Sequence, residues 1–150
     1  AEDKYNERRI LRKFLSLAGD EKANILIIPV SSDYPEFAAD VYVQAFRKLG
    51  VANPRVLRAT SRQEVFEADA ETLLENITGI FISGGDQMRL ASILGGTKIA
   101  QKIDKLVRED SIVLAGTSAG AAGMSASMIV RGESTSHPQR NSVTLSPGLG

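Results

Sequence analysis

Short apolar runs recur along the chain, and each predicts a short strand. The runs lie at residues 24–29, 54–57, 79–82 and 112–115, with two shorter ones at 128–130 and 143–145. Those at 24–29 and 79–82 are continuous and rich in β-branched side chains. Such runs are typical of strands that are covered on both faces, as in a parallel sheet.

Segments with the apolar spacing of helices lie between these runs. Residues 6–18 carry apolar side chains on one helical stripe, and Gly19 marks the end of that helix. Residues 35–49 begin with Pro35 and close at Gly50. Further helices are predicted to start at Ser61, in a Ser-x-x-Glu capping box, and to lie at 70–76, 88–94 and 97–109. This alternation predicts an α/β domain with a mostly parallel sheet and flanking helices.

Composition narrows the classes of function. The 150 residues carry 18 Lys and Arg against 18 Asp and Glu, so net charge gives no sign of nucleic-acid or anionic-membrane binding. The absence of cysteine excludes thiolate catalysis and cysteine-ligated metal centres, and a single histidine argues against a His-rich metal site. No apolar run approaches the roughly 20 residues that span a bilayer. A cytoplasmic location is therefore expected, with neither a nucleic-acid nor a membrane partner.

Residues 116–120, Gly-Thr-Ser-Ala-Gly, directly follow the strand predicted at 112–115 and precede an Ala/Gly-rich helical stretch. Strand, turn and helix in this order are the setting of a nucleophile elbow, in which glycines relieve crowding around an exposed serine. The Oγ of Ser118 would project into a cleft, and the N–H of Ala119 could stabilise an oxyanion. A purely structural turn is the alternative.

A second glycine turn, Gly-Gly-Asp-Gln at 84–87, follows the strand predicted at 79–82. Ligand sites in open α/β sheets gather at the carboxyl ends of strands, so both turns are expected at one edge. A glycine N–H there could serve as the second oxyanion donor, and Asp86 and Gln87 could orient substrate. A tight turn or a phosphate cradle is the alternative, although neither turn is followed by the Lys-Ser/Thr pair of a P-loop.

A serine nucleophile needs a general base, and His137 is the one histidine of the sequence. To serve as the base it would have to fold back onto Ser118 from a polar stretch. The alternative is a solvated loop histidine.

The two glycine turns together resemble those of cyanophycinase, in the serine peptidase family that also includes aspartyl dipeptidase E. Residues 1–4, 28–32 and 147–150 resemble other parts of that family, so the resemblance covers essentially the whole chain. It implies a fold like that of class I glutamine amidotransferases, commonly a homodimer, and catalysis without metal or cofactor.

The resemblance also implies an activity. Cyanophycin is a polymer with an aspartate backbone and arginine side branches, and its hydrolysis yields β-Asp-Arg dipeptides. Ser118 matches the nucleophile, Gly85 and Ala119 the positions of the oxyanion N–H groups, and Gln87 a substrate-binding glutamine, with Asp86 beside it.

In one respect the sequence departs from this family. There the base histidine follows the stretch that matches 147–150, and the triad acid comes later still, so His137 does not match the base. Residues 1–150 are therefore expected to be the N-terminal portion of a single domain of this type. Two rival functions stay open: an aspartyl dipeptidase-like peptidase acting on other Asp-containing peptides, and a non-catalytic α/β domain that binds a small molecule.

Overall fold

A computed structural model describes residues 7–132 and 142–150, which form helices around a parallel sheet and a separate two-stranded ribbon. The elements are α1 Arg9–Leu17, β1 Ile25–Ile28, α2 Pro35–Lys48, β2 Arg55–Val56, α3 Arg62–Glu67, α4 Ala70–Leu74, β3 Gly79–Ile82, α5 Gln87–Leu94, α6 Lys98–Arg108, β4 Val113–Gly116, α7 Ala119–Gly123, β5 Ser127–Gly132 and β6 Val143–Pro147. The α/β fold expected from the alternating pattern is confirmed.

The main sheet has four parallel strands in the order β2-β1-β3-β4. Ile28 of β1 pairs with Ile82 of β3, and Ile82 pairs with Gly116 of β4. The carboxyl ends of these three strands therefore meet at one edge of the sheet. The residues that directly follow β1, β3 and β4 therefore lie close together at that edge of the sheet.

The sheet buries an apolar layer on each face, as the continuous runs predict. Leu26 and Ile28 belong to a cluster with side chains of α3 to α6, whereas Ile25 and Ile27 belong to one with α1 and α2. All four residues of β1 are inaccessible to solvent. Phe81 is central to the second cluster, with three other aromatic rings centred within 5.8 Å of its own. Fully burying one such side chain contributes about 1.5–3 kcal/mol, so this core fixes the strands that carry the site.

The capping box predicted at Ser61 forms with one difference. The Ser61 hydroxyl accepts from the N–H of Glu64 at 3.3 Å, as predicted. The Glu64 carboxylate reaches back to the N–H of Thr60 at 2.6 Å, one residue before the cap. This bond, with the Thr60 hydroxyl, holds the pKa of Glu64 below its usual value.

Two features differ from the sequence pattern. The strand predicted at 112–115 runs from Val113 to Gly116, because Gly116 still pairs with Ile82. The last two strands form an antiparallel ribbon of their own, with Ile129 opposite Leu145. Within the described part of the chain, no helix has the length and apolarity to cross a membrane.

Candidate active site

Ser118 lies in the turn between β4 and α7, in a backbone conformation that non-glycine residues rarely adopt. Its φ is 52° and its ψ is −117°. The N–H of Thr117 still donates to the carbonyl of Ile82 at 3.1 Å, so the sheet ladder holds the chain up to the residue before the serine. Ser118 itself is exposed, while Ala119 behind it is buried. Strained residues held in this way cluster at functional sites.

The two glycines that flank Ser118 are required by close packing. A Cβ on Gly116 would lie 2.6 Å from the carbonyl carbon of Gly120. A Cβ on Gly120 would lie 2.4 Å from the oxygen of Ile82 and 2.6 Å from that of Ser83. The helix that follows the serine therefore sits directly on the backbone at the end of β3. The spacing Gly-x-Ser-x-Gly is explained by these contacts.

The second glycine turn lies against the first. A Cβ on Gly84 would come within 3.3 Å of the Cβ of Ser118. Gly85 has a φ of 153°, and a Cβ there would lie 2.0 Å from the carbonyl oxygen of Ser31. The N–H of Asp86 donates to that same oxygen at 2.9 Å. The expectation that both turns share one edge of the sheet is confirmed.

A buried pair of serines supports the second turn from below. Ser31 is fully buried, and its hydroxyl donates to the carbonyl of Ser83 at 2.7 Å. Its Oγ lies 3.2 Å from the Oγ of Ser83 and 3.1 Å from the oxygen of Gly84. The apolar pattern of the sequence does not single out these serines. The available signal is their position, each within a few residues of the carboxyl end of a buried strand.

Two backbone N–H groups beside Ser118 are unused. Within residues 7–132 and 142–150, neither the N–H of Gly85 nor that of Ala119 donates a hydrogen bond. Ala119 is the first residue of α7, where a helix leaves its N–H groups without an internal partner. Both N–H groups therefore lack a hydrogen-bond acceptor among the described residues.

Asp86 and Gln87 already have protein partners. The Asp86 carboxylate caps α5, accepting from the N–H groups of Met88 at 2.7 Å and Arg89 at 2.9 Å. The Gln87 side-chain amide donates to the carbonyl of Ile129 at 2.9 Å and so links α5 to the ribbon. Asp86 thus caps the helix that follows the glycine turn, and the amide nitrogen of Gln87 contacts β5.

His137 lies outside the described residues, so its candidacy as a base is not tested by the geometry. Within the described segments, no three His, Cys, Asp or Glu side chains are grouped in a way that could hold a metal ion. The geometry brought together at this edge is that of a serine, two glycine turns and two unpaired N–H groups.

Comparison with known proteins assigns the chain to a family. The sequence profile of peptidase family S51 matches residues 1–150, the whole chain. The chain belongs to peptidase family S51. Among curated S51-like relatives, cyanophycinases from a Nostoc species and from Geminocystis herdmanii are each 39% identical to it over 150 residues.

The chain spans about half the length of these curated relatives. It covers 50% of the Nostoc protein and 55% of the Geminocystis protein. A solved peptidase from an acI-B1 actinobacterium is 29% identical and superposes with a TM-score of 0.68, over 83% of this chain and 55% of the other. The chain therefore has the class I glutamine amidotransferase-like fold of S51 peptidases.

Proposed function

We propose that the protein is a serine peptidase that hydrolyses cyanophycin to β-Asp-Arg dipeptides. Ser118 is the nucleophile, and the N–H groups of Gly85 and Ala119 form the oxyanion hole. Gln87 orients the substrate, with Asp86 beside it. Neither a metal nor a cofactor takes part. Homodimeric assembly and a cytoplasmic location belong to the same proposal.

One observation supports this reading most strongly. An exposed serine with a φ of 52° lies directly against a second glycine turn, and neither the N–H of Ala119 nor that of Gly85 donates to another described residue. With a ψ of −117° the serine also lies outside the left-handed helical region, and a sparsely populated conformation of this kind costs about 1–3 kcal/mol. Keeping a serine in that conformation suits a hydroxyl that must reach a substrate.

The reaction proceeds by acyl transfer. The Oγ of Ser118 attacks the scissile carbonyl carbon while its proton passes to a general base, and the carbonyl oxygen becomes an oxyanion. The N–H groups of Gly85 and Ala119 donate to that oxyanion. Collapse of the tetrahedral intermediate releases the amine, which takes up the proton. Water then attacks the acyl-enzyme ester and frees Ser118.

The base is not assigned to any described residue. We expect it from the part of the S51 relatives' length that this chain does not span. Backbone contacts hold the Gly84–Gly85 turn and the turn that carries Ser118, which supports a role for these residues as nucleophile and oxyanion hole. Preorganised donors of this kind supply much of the rate enhancement of acyl-transfer enzymes.

A comparison of substrates tests the proposed function. We expect the complete gene product to release β-Asp-Arg from cyanophycin and to hydrolyse α-linked Asp dipeptides with a kcat/KM at least roughly 100-fold lower, because a site built for a branched unit leaves polar groups unpaired with the wrong substrate. Product masses identify the dipeptide. Preference for α-linked Asp dipeptides would assign the chain to the aspartyl dipeptidase type, and hydrolysis of neither would favour a binding domain.

A further inference from the structure

A pair of opposite charges lies at the same edge of the sheet as Ser118. Asp33 follows β1 in the loop to α2, and Arg89 lies in the first turn of α5, just beyond the Gly84–Gly85 turn. An Nη of Arg89 lies 3.4 Å from an Oδ of Asp33. The Asp33 side chain is 82% exposed and that of Arg89 is 34% exposed. The pair therefore faces solvent at the rim of the site.

The two side chains use few of their hydrogen-bonding groups within the described residues. The contact of 3.4 Å is long for a charge-assisted hydrogen bond, which is usually 2.7–2.9 Å. The Nε of Arg89 is buried and has no hydrogen-bond partner among the described residues. A guanidinium carries five N–H donors, so Arg89 can donate to a bound acceptor through its terminal nitrogens. Exposed ion pairs contribute little to stability, and this pair can open cheaply.

The second glycine turn connects the pair to Ser118. The N–H of Asp86 donates to the carbonyl of Ser31 at 2.9 Å, and the N–H of Arg89 donates to the Asp86 carboxylate at 2.9 Å. Ser31 lies two residues before Asp33. Gly84 contacts Ser118 and Gly85 contacts Ser31, so this turn lies between the serine and the loop that carries Asp33. A substrate unit of two linked residues spans roughly 7 Å before its side chains are counted, so a branch bound at Ser118 can extend along the turn.

We propose that Asp33 and Arg89 form a subsite for the arginine branch of the substrate, an inference that rests on the proposed function. Each branch ends in a guanidinium and also carries a free α-carboxylate, because arginine is attached through its α-amino group. Asp33 accepts hydrogen bonds from the guanidinium, and Arg89 donates to the carboxylate. The negative charge of Asp33 is complementary to the guanidinium of the branch, and the positive charge of Arg89 is complementary to its carboxylate.

The test uses three branched β-aspartyl substrates and the complete gene product. The branches are arginine, citrulline, which keeps the carboxylate and loses the charge of the guanidinium, and agmatine, which keeps the guanidinium and loses the carboxylate. Wild type should prefer arginine over both by roughly tenfold or more, mainly through KM. Asp33→Asn should lose only the preference for arginine over citrulline. Arg89→Gln should lose only the preference for arginine over agmatine.

The controls separate this inference from the proposed function. Asp104→Asn removes a partly exposed carboxylate that pairs with Arg108 on α6, and it should keep both preferences. Binding of the β-Asp-Arg dipeptide, measured by calorimetry, should weaken in the Asp33 and Arg89 variants whether or not the protein cleaves polymer. Unchanged preferences together with unchanged dipeptide binding in both variants would overturn the subsite. Dipeptide binding that depends on both residues, without any hydrolysis by wild type, would uphold the subsite and overturn the peptidase.

Discussion

Replacing Ser118 by alanine should reduce peptide hydrolysis by at least about 10³-fold, since loss of the nucleophile costs serine peptidases up to roughly 10⁶-fold in kcat. The fold should survive, because the side chain of Ser118 is exposed and does not cap α7. The measurement is kcat on cyanophycin for wild type and variant, together with the thermal midpoint of each. KM should change little, because the hydroxyl contributes to the reaction rather than to binding.

Ser111→Ala is the matched control. Ser111 is also exposed and lies next to the same strand, at its opposite end, where its hydroxyl donates only to the carbonyl of Glu109 at 3.4 Å. Its substitution should leave kcat within about twofold, as expected for a surface change away from the site. A Ser118→Ala protein that retains its fold and hydrolyses cyanophycin as fast as wild type would exclude Ser118 as the nucleophile.

Gly120→Ala should destabilise the protein and lower activity together. A Cβ at this position would meet the carbonyl oxygens of Ile82 and Ser83 at 2.4 and 2.6 Å, and backbone atoms inside a sheet cannot move aside. Overpacking of this kind costs about 1–3 kcal/mol, which lowers the thermal midpoint by a few degrees up to about 10 °C for a chain of this size. Because α7 must shift away from β3, the Ala119 N–H moves with it and kcat should fall.

Gly132→Ala is the control for this substitution. A Cβ on Gly132 would meet only the Ser142 oxygen, at 3.7 Å, an ordinary contact. Its thermal midpoint should stay within about 2 °C of wild type. Equal midpoints for Gly120→Ala and wild type would show that α7 does not rest on β3 as described.

The parts of the fold that the sequence predicts best are those with local signals. The range of α2 follows from Pro35 and Gly50, and the latter has the φ of 103° expected at a helix close. The strands β1 and β3 follow from their uninterrupted apolar runs. The sequence pattern ends β4 one residue early, because a glycine after an apolar run is typical of a turn. In the structure, pairing with Ile82 keeps Gly116 in the strand.

Contacts between residues that are distant in sequence cannot be predicted from such local signals. The strands β5 and β6 carry exposed apolar residues such as Ile129 and Leu145, so no burial pattern fixes their partner. The contact between Asp33 and Arg89 spans 56 positions and has no periodic signature. Such contacts depend on the order of strands in the sheet, which the sequence pattern leaves open.

The candidate site likewise combines local features, which the sequence predicts, with contacts between distant residues, which it does not. Strand, turn and helix around Ser118 are a local pattern, so its placement at a strand end is predictable. The capping role of Asp86 is equally local, because an aspartate directly before a helix is a preferred N-cap. Asp86 therefore has a structural role in addition to the proposed substrate contact. The bond from Gln87 to Ile129 joins parts of the chain 42 positions apart and was not predictable.

Covalent labelling with a fluorophosphonate tests most directly whether Ser118 is an activated nucleophile. The Oγ should displace fluoride from phosphorus, giving one label per chain and loss of peptidase activity in step with labelling. Tryptic digestion yields the peptide 109–131, which also contains Ser111, Ser125 and Ser127. Fragment masses should place the label on Ser118, and Ser118→Ala should remain unlabelled. A label on one of the other serines, or peptidase activity that persists after Ser118 is fully modified, would contradict the assignment of Ser118 as the nucleophile.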